Sequence, residues 1–149
     1  MLAIDPGRWK AGVAVVGQSG QVYWQQVVAT QQLAAVIREQ FHRHEPQAIV
    51  LGDRTGGHQL VAQLAEEGEP ELMARLRTVN EDRSSLEARA RYLQQHPARG
   101  WRRLLPVGLR VPDRPIDDYT AVILAERFWQ GRDVRPLRHK PEGSGGQRV

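Results

Sequence analysis

At 149 residues, 40% of them hydrophobic and 26% charged, the chain is sized for one soluble domain with a substantial buried core. It has no cysteine, which excludes disulfides and thiolate zinc sites and fits a reducing, cytoplasmic setting; no apolar run approaches a membrane span, and Asp5 stands too near the start for a signal peptide. Lys and Arg outnumber Asp and Glu 21 to 17, mostly through arginine, and the resulting charge of +4 favours a polyanionic partner.

Leu2–Ile4 reads as a short buried strand and Ala11–Val16 as a second, with Asp5-Pro6-Gly7 between them. Asp is depleted in strands, and a lone buried carboxylate is costly, so Asp5 is either a turn-former capping a hairpin or a residue held in place for chemistry. Gln18-Ser19-Gly20 forms a tight turn into a third strand over Gln21–Val28, which predicts an antiparallel meander. Leu33, Val36, Ile37 and Phe41 then recur at helical spacing, with Thr30 as the expected N-cap and Pro46 closing the helix. "AIVLG" is a continuous apolar run of the kind buried in parallel sheets. Leu60, Val61 and Leu64 mark a second helix, and Leu76–Val79 a short fifth strand. "SSLEARARYLQQH" begins with Ser84 and carries Glu87 three residues on, a capping-box pattern. A loop from Pro97 to Pro115 leads to a last helix from about Asp117 to Gln130.

A meander followed by right-handed βα crossovers predicts an α/β domain over residues 1–130, and 131–149 reads as a flexible basic tail. The expected sheet is mixed and five-stranded, in the order 3-2-1-4-5, flanked by helices. Asp5 then stands at the C-terminal end of a central strand, where open α/β sheets place their ligand sites. Two further acids fall at equivalent edges. Glu81 follows the fifth strand, and Asp117 begins the last helix, with Ala121, Leu124 and Phe128 on its own face. Three convergent carboxylates repel unless a cation joins them, and hard oxygen donors without cysteine suit Mg²⁺ or Mn²⁺. Two such ions form the arrangement that cleaves phosphodiesters. Each acid also has a plain reading as a turn or helix-first-turn residue.

The motifs carry a resemblance. "IDPGRWKAGVAV" resembles the D-x-G-x-x-R-x-G-V-A-V opening of the YqgF family of Holliday junction resolvase-like and pre-16S rRNA-processing nucleases, in the RNase H-like superfamily. "NEDRSSLEA" is similar to that family's D-E-R-x-T-T-x-E-A block, and "IDDYTAVILAERFW" to its V-D-x-x-A-A-x-x-I-L segment. "AIVLGDRTGGHQLVAQL" is similar to the intervening strand, loop and helix, so the blocks follow family order over roughly residues 1–130. The resemblance implies an RNase H-like fold, nuclease chemistry on a two-metal Mg²⁺ or Mn²⁺ site, and catalytic roles for Asp5, Glu81 and Asp117. It selects Asp117 over Asp118, which is a further candidate ligand. Lys10 replaces the family's arginine, Asp82 stands where the second block has arginine, and Ser84 and Ser85 replace two threonines. "DPG" also resembles the opening of RuvC, the junction resolvase.

Asp53 ends the fourth strand, beside the first, and is an additional metal candidate. Lys10, Arg8, Arg83, Arg102 and Arg103 are expected to hold phosphates. In "PARGWRRLLPVGLRVPDR", Arg99, Arg102, Arg103, Arg110 and Arg114 surround Trp101: either a nucleic-acid contact or a solvated loop anchored by Trp101, Leu104 and Leu105. The histidines, His42, His44, His58, His96 and His139, share no metal spacing, although His58 lies in the glycine-rich turn after the fourth strand. The resemblance leaves two substrates, the 5′ precursor end of 16S rRNA and four-way DNA. Modest charge and no distinctive dimerisation helix favour the rRNA, acted on by a monomer or homodimer. The other classes are a nucleic-acid-binding module without catalysis and a nucleotide-phosphate binder, the latter needing a second domain that 149 residues do not hold.

Overall fold

The structure is a computed structural model that describes residues 1–53, 56–82, 84–106, 109–131 and 134–135, with the backbone alone at 101, 102, 134 and 135. The strands are β1 (Leu2–Pro6), β2 (Lys10–Val16), β3 (Val22–Ala29), β4 (Ile49–Gly52), β5 (Leu76–Val79) and β6 (Val134–Arg135). The helices are α1 (Leu33–His44), α2 (Gly56–Glu66), α3 (Pro70–Ala74), α4 (Ser84–Gln95) and α5 (Asp117–Trp129). The sheet order is β3-β2-β1-β4-β5-β6, with β1–β4 and β4–β5 parallel and the other pairs antiparallel. The expected order 3-2-1-4-5 is therefore observed. The added edge strand falls at two positions that the sequence reading placed in the tail, because the chain after α5 returns to pair with β5 through Thr78 and Val79. Positions 132, 133 and 136–149 of the expected tail lie outside the described residues.

Alternation along the central strands sorts the core into two layers. Leu2, Ile4, Val13, Val15, Ile49 and Leu51 face α1 and α2, meeting Leu33, Ile37, Phe41, Leu60 and Leu64. Ala3, Ala14, Val16, Val50 and Val79 face α5, meeting Ala121, Val122, Leu124 and Ala125. The alanines on this second face let α5 lie close to the sheet, and α4 packs outside it through Ala88, Tyr92, Tyr119 and Ile123. Asp117's own helical face, with Ala121 and Leu124 wholly buried, is thus the face turned to the sheet, as its spacing predicts.

Two expected caps differ. Thr30 opens a short 3-10 turn, Thr30–Gln32, ahead of α1, and its hydroxyl donates to the Gly7 carbonyl at 3.1 Å instead of capping the helix. Ser84 is already helical and donates to the Glu81 carbonyl at 2.6 Å, while Glu87 reaches across to Arg127 at 2.8 Å. Thr30 and Glu87 thus take distant partners in place of the capping bond, while Ser84 bonds back to a carbonyl three residues before it. Helix α3, with Pro70 at its start, was not expected either.

Candidate active site

Asp5 is half-buried near the C-terminal end of β1 and shares a face with Ala3, the face covered by α5. Its direct partner across β2 is Gly12, and the parallel register Ile4↔Leu51 brings Gly52, the last residue of β4, alongside on the other flank. Both glycines stand on the α5 face, and both are occupied by something else. A Cβ at Gly12 would lie 1.8 Å from the Asp117 carbonyl oxygen and 2.0 Å from its carbon. A Cβ at Gly52 would lie 1.6 Å from Oε1 of Glu81. Same-face neighbours on adjacent strands stand roughly 5 Å apart, so the α5 N-terminus and the Glu81 carboxylate each reach the sheet about that far from Asp5. Glycine within a strand marks such close approach, a signal present in the sequence but not used there.

Glu81 is 2% exposed and is positioned by its own loop. Its backbone N–H donates to Oδ1 of Asp53 at 3.2 Å, and the Asp53 N–H donates to the Val79 carbonyl at 3.2 Å. Asp53 itself is exposed, so its observed part is to hold Glu81 in position. Asp82, the neighbouring acid, is exposed and paired with Asn80 through two hydrogen bonds of 2.8 and 3.2 Å. From α5, Arg127 donates to the Asn80 carbonyl at 3.0 Å and to Glu87, which ties the Glu81 loop to the helix that carries Asp117.

Asp117 and Asp118 have separate surroundings. Asp118 is buried, and Arg114 grips both of its oxygens at 3.1 Å while Gln25 of β3 donates to Oδ2 at 3.0 Å. The Asp118 hydrogen bond and charge hold the Arg114 guanidinium above its ordinary pKa, against an opposing effect of burial. The carboxylate of Asp118 is thus committed to Arg114 and Gln25. The Glu81 carboxylate and the backbone of Asp117 flank Asp5 at one strand end. Among the described residues, however, no group of three or more His, Asp or Glu is placed so that it could hold a metal ion.

The cations distribute unevenly. Arg8 and Lys10 are exposed at the tip of the β1–β2 hairpin, beyond Asp5. Arg103 and Arg99 are exposed on the 97–115 loop, whereas Arg110 donates to carbonyls of its own loop and Arg114 serves Asp118. Arg83 and the side chains of Arg102 and Trp101 lie outside the described residues. Leu104, an anchor in the solvated-loop alternative, is 87% exposed, and the loop is fastened by Tyr92 to Asp113 and Arg89 to the Arg110 carbonyl. A groove of about 1040 Å³ lies between this loop and α4, lined by Tyr92, His96, Arg99, Arg103 and Arg110 among others; none of the three acids lines it. His58 is exposed in the first turn of α2, whose leading Gly56 packs on Pro6.

No protein-family model matches the sequence, and no curated protein matches it. Among solved structures, the chain is similar to T. thermophilus RuvC in complex with a Holliday junction substrate: TM-score 0.56, 18% identity, covering 91% of this chain and 98% of that one. It is also similar to the Thermus thermophilus RuvC structure, with TM-score 0.52, 17% identity and the same coverage of 91% and 98%. At such identities the likeness lies in the backbone, and what the two share over nearly their whole length is the RNase H-like α/β fold.

Proposed function

We propose that this protein is a divalent-metal-dependent nuclease that hydrolyses phosphodiester bonds in branched nucleic acid. The observation that supports it most is the arrangement around Asp5: the central-strand acid has a glycine on each flank, one vacated for Glu81 and the other for the backbone of Asp117. Acids brought together where bulk is excluded are costly unless a cation neutralises them, and a donor set made only of carboxylate oxygens fits Mg²⁺ or Mn²⁺ in kind. When bound, a pair of such ions supplies an activated water and stabilises the departing oxygen. Asp5 and Glu81 would hold them, with Asp117 at the third corner. Asp53 and Ser84 fix the Glu81 loop, Asp118 anchors the start of α5, and Lys10 and Arg8 hold flanking phosphates.

Four-way DNA is the first substrate in this reading, because the aligned structure over 91% of the chain holds a Holliday junction. Acting there requires a two-fold dimer that cuts two strands symmetrically. The second reading, trimming of the pre-16S rRNA 5′ end, is supported by the motif blocks and their resemblance to the YqgF family. No helix among the described residues is long and apolar enough to cross a membrane, and the cysteine-free composition suits action in the cytoplasm. The test is Mg²⁺-dependent cleavage of a labelled mobile junction and a labelled precursor rRNA, side by side, by wild type and Asp5→Asn. Cleavage that vanishes in Asp5→Asn with unchanged thermal stability supports the assignment. Undiminished cleavage by that variant overturns it, and the preferred labelled substrate decides between the two readings.

A further inference from the structure

The β1–β2 hairpin tip carries a feature that the acids do not explain. Trp9 is 75% exposed, and the Arg8 guanidinium lies 5.1 Å from its ring centroid. A lone exposed tryptophan is ordinary on a protein surface, but this one is mounted on a fixed support. The turn is tight, since a Cβ at Gly7 would lie 2.2 Å from the Lys10 carbonyl oxygen. Thr30, just after β3, clamps it: its hydroxyl donates to the Gly7 carbonyl and its N–H to the Trp9 carbonyl, both at 3.1 Å. Lys10 pairs with Ala29 directly behind the tip. An indole is therefore presented to solvent with little backbone freedom, between two cations, on the strand extension that begins at Asp5.

We infer that Trp9 is a base-stacking platform, and that this protein selects nucleic acid with an unpaired nucleotide close to the cleaved bond. The inference rests on the nuclease reading of the Asp5 site and narrows its substrate. An aromatic ring stacks on any exposed nucleobase but cannot reach one inside an intact duplex, whereas Arg8 and Lys10 provide charge for the adjoining phosphates. Hairpin geometry puts Trp9 roughly 10 Å beyond Asp5, at about 3.3 Å per residue. That span matches about three nucleotides of stacked strand at about 3.4 Å each. The selected base thus lies within about three nucleotides of the scissile phosphate.

Binding is measured by fluorescence anisotropy in EDTA, so that no cleavage intervenes, on labelled DNA and RNA single strands and on fully paired duplexes of the same sequence. Trp9→Ala is expected to weaken single-strand binding about tenfold and to leave duplex binding and the salt slope unchanged. Trp9→Phe should retain most of the affinity. Arg8→Ala should instead lower the salt slope by about one for strand and duplex alike. Single-strand binding by Trp9→Ala that equals wild type, or an equal loss on duplex, overturns the platform; the Asp5→Asn cleavage test is untouched by that result. A wild-type protein that binds none of these strands overturns the platform, and the nuclease reading is then judged by the junction and precursor-rRNA cleavage test alone. The DNA and RNA arms identify which strand chemistry the platform accepts.

Discussion

Gly12 and Gly52 carry no functional group, yet they decide where the acids can go, and they do so by different means. The space at Gly52 is taken by the end of a side chain: Oε1, Cδ and Cγ of Glu81 would lie 1.6, 2.4 and 2.7 Å from a new Cβ. The space at Gly12 is taken by backbone, with the Asp118 nitrogen at 2.5 Å behind the Asp117 carbonyl. Gly52→Ala is therefore expected to swing the Glu81 carboxylate aside, losing cleavage while the urea midpoint moves little. Gly12→Ala must push the start of α5 off the sheet, at about 1–3 kcal/mol. Paired urea titrations and cleavage assays check both, and a fully active Gly52→Ala would show that Glu81 need not occupy its observed place.

Among the elements, α5 does the most positioning. It covers the small-residue face of the sheet, carries Asp117 to Gly12, and is fastened at several points to its surroundings. At its N-terminus Arg114 holds Asp118 and stands 5.5 and 5.4 Å from the ring centroids of Tyr92 and Tyr119. Further along, Arg127 joins Asn80 and Glu87, and Arg91 of α4 forms two hydrogen bonds to Glu126 at 2.6 and 2.8 Å. Arg114→Ala leaves a carboxylate with 4% side-chain exposure to Gln25 alone, and should cost roughly 2–3 kcal/mol. The double variant with Asp118→Asn should recover part of that loss by removing the stranded charge. Chemical denaturation of the three proteins measures it; a single variant within about 0.5 kcal/mol of wild type would mean the pair does not anchor the helix.

Taken whole, the molecule joins a tightly packed sheet to a long loop that depends on polar fastenings. Tyr92, buried on α4, donates its hydroxyl to Asp113 of that loop. This hydrogen bond first, and burial second, raise the phenol above its ordinary value. The unfolded chain then loses the proton near pH 10 while the folded protein still holds it, so the folded state binds more protons in that window. The stabilisation is complete below about pH 10 and disappears as pH rises through the folded value. Tyr92→Phe should be less stable at neutral pH and show a shallower decline above about pH 10. Thermal melts of the two proteins from neutral to alkaline pH test this, and parallel curves would contradict it.

Element type and order were legible in the sequence because they rest on local patterns: the apolar runs of β1, β2 and β4, the helical spacing of Leu33, Ile37 and Phe41, and the turn at Gln18-Ser19-Gly20. From that order followed the sheet and the placement of Asp5 at a central strand end. Which groups meet there was decided by packing. Asp117 and Asp118 adjoin on one helix, and only the docking of α5 over Gly12, with Arg114 and Gln25 waiting for the second acid, separates their surroundings. Thr30 and Glu87 likewise left their expected caps for partners 23 and 40 positions away. Periodicity reports which face of an element is buried; it says nothing about the distant atom that fills the space against it.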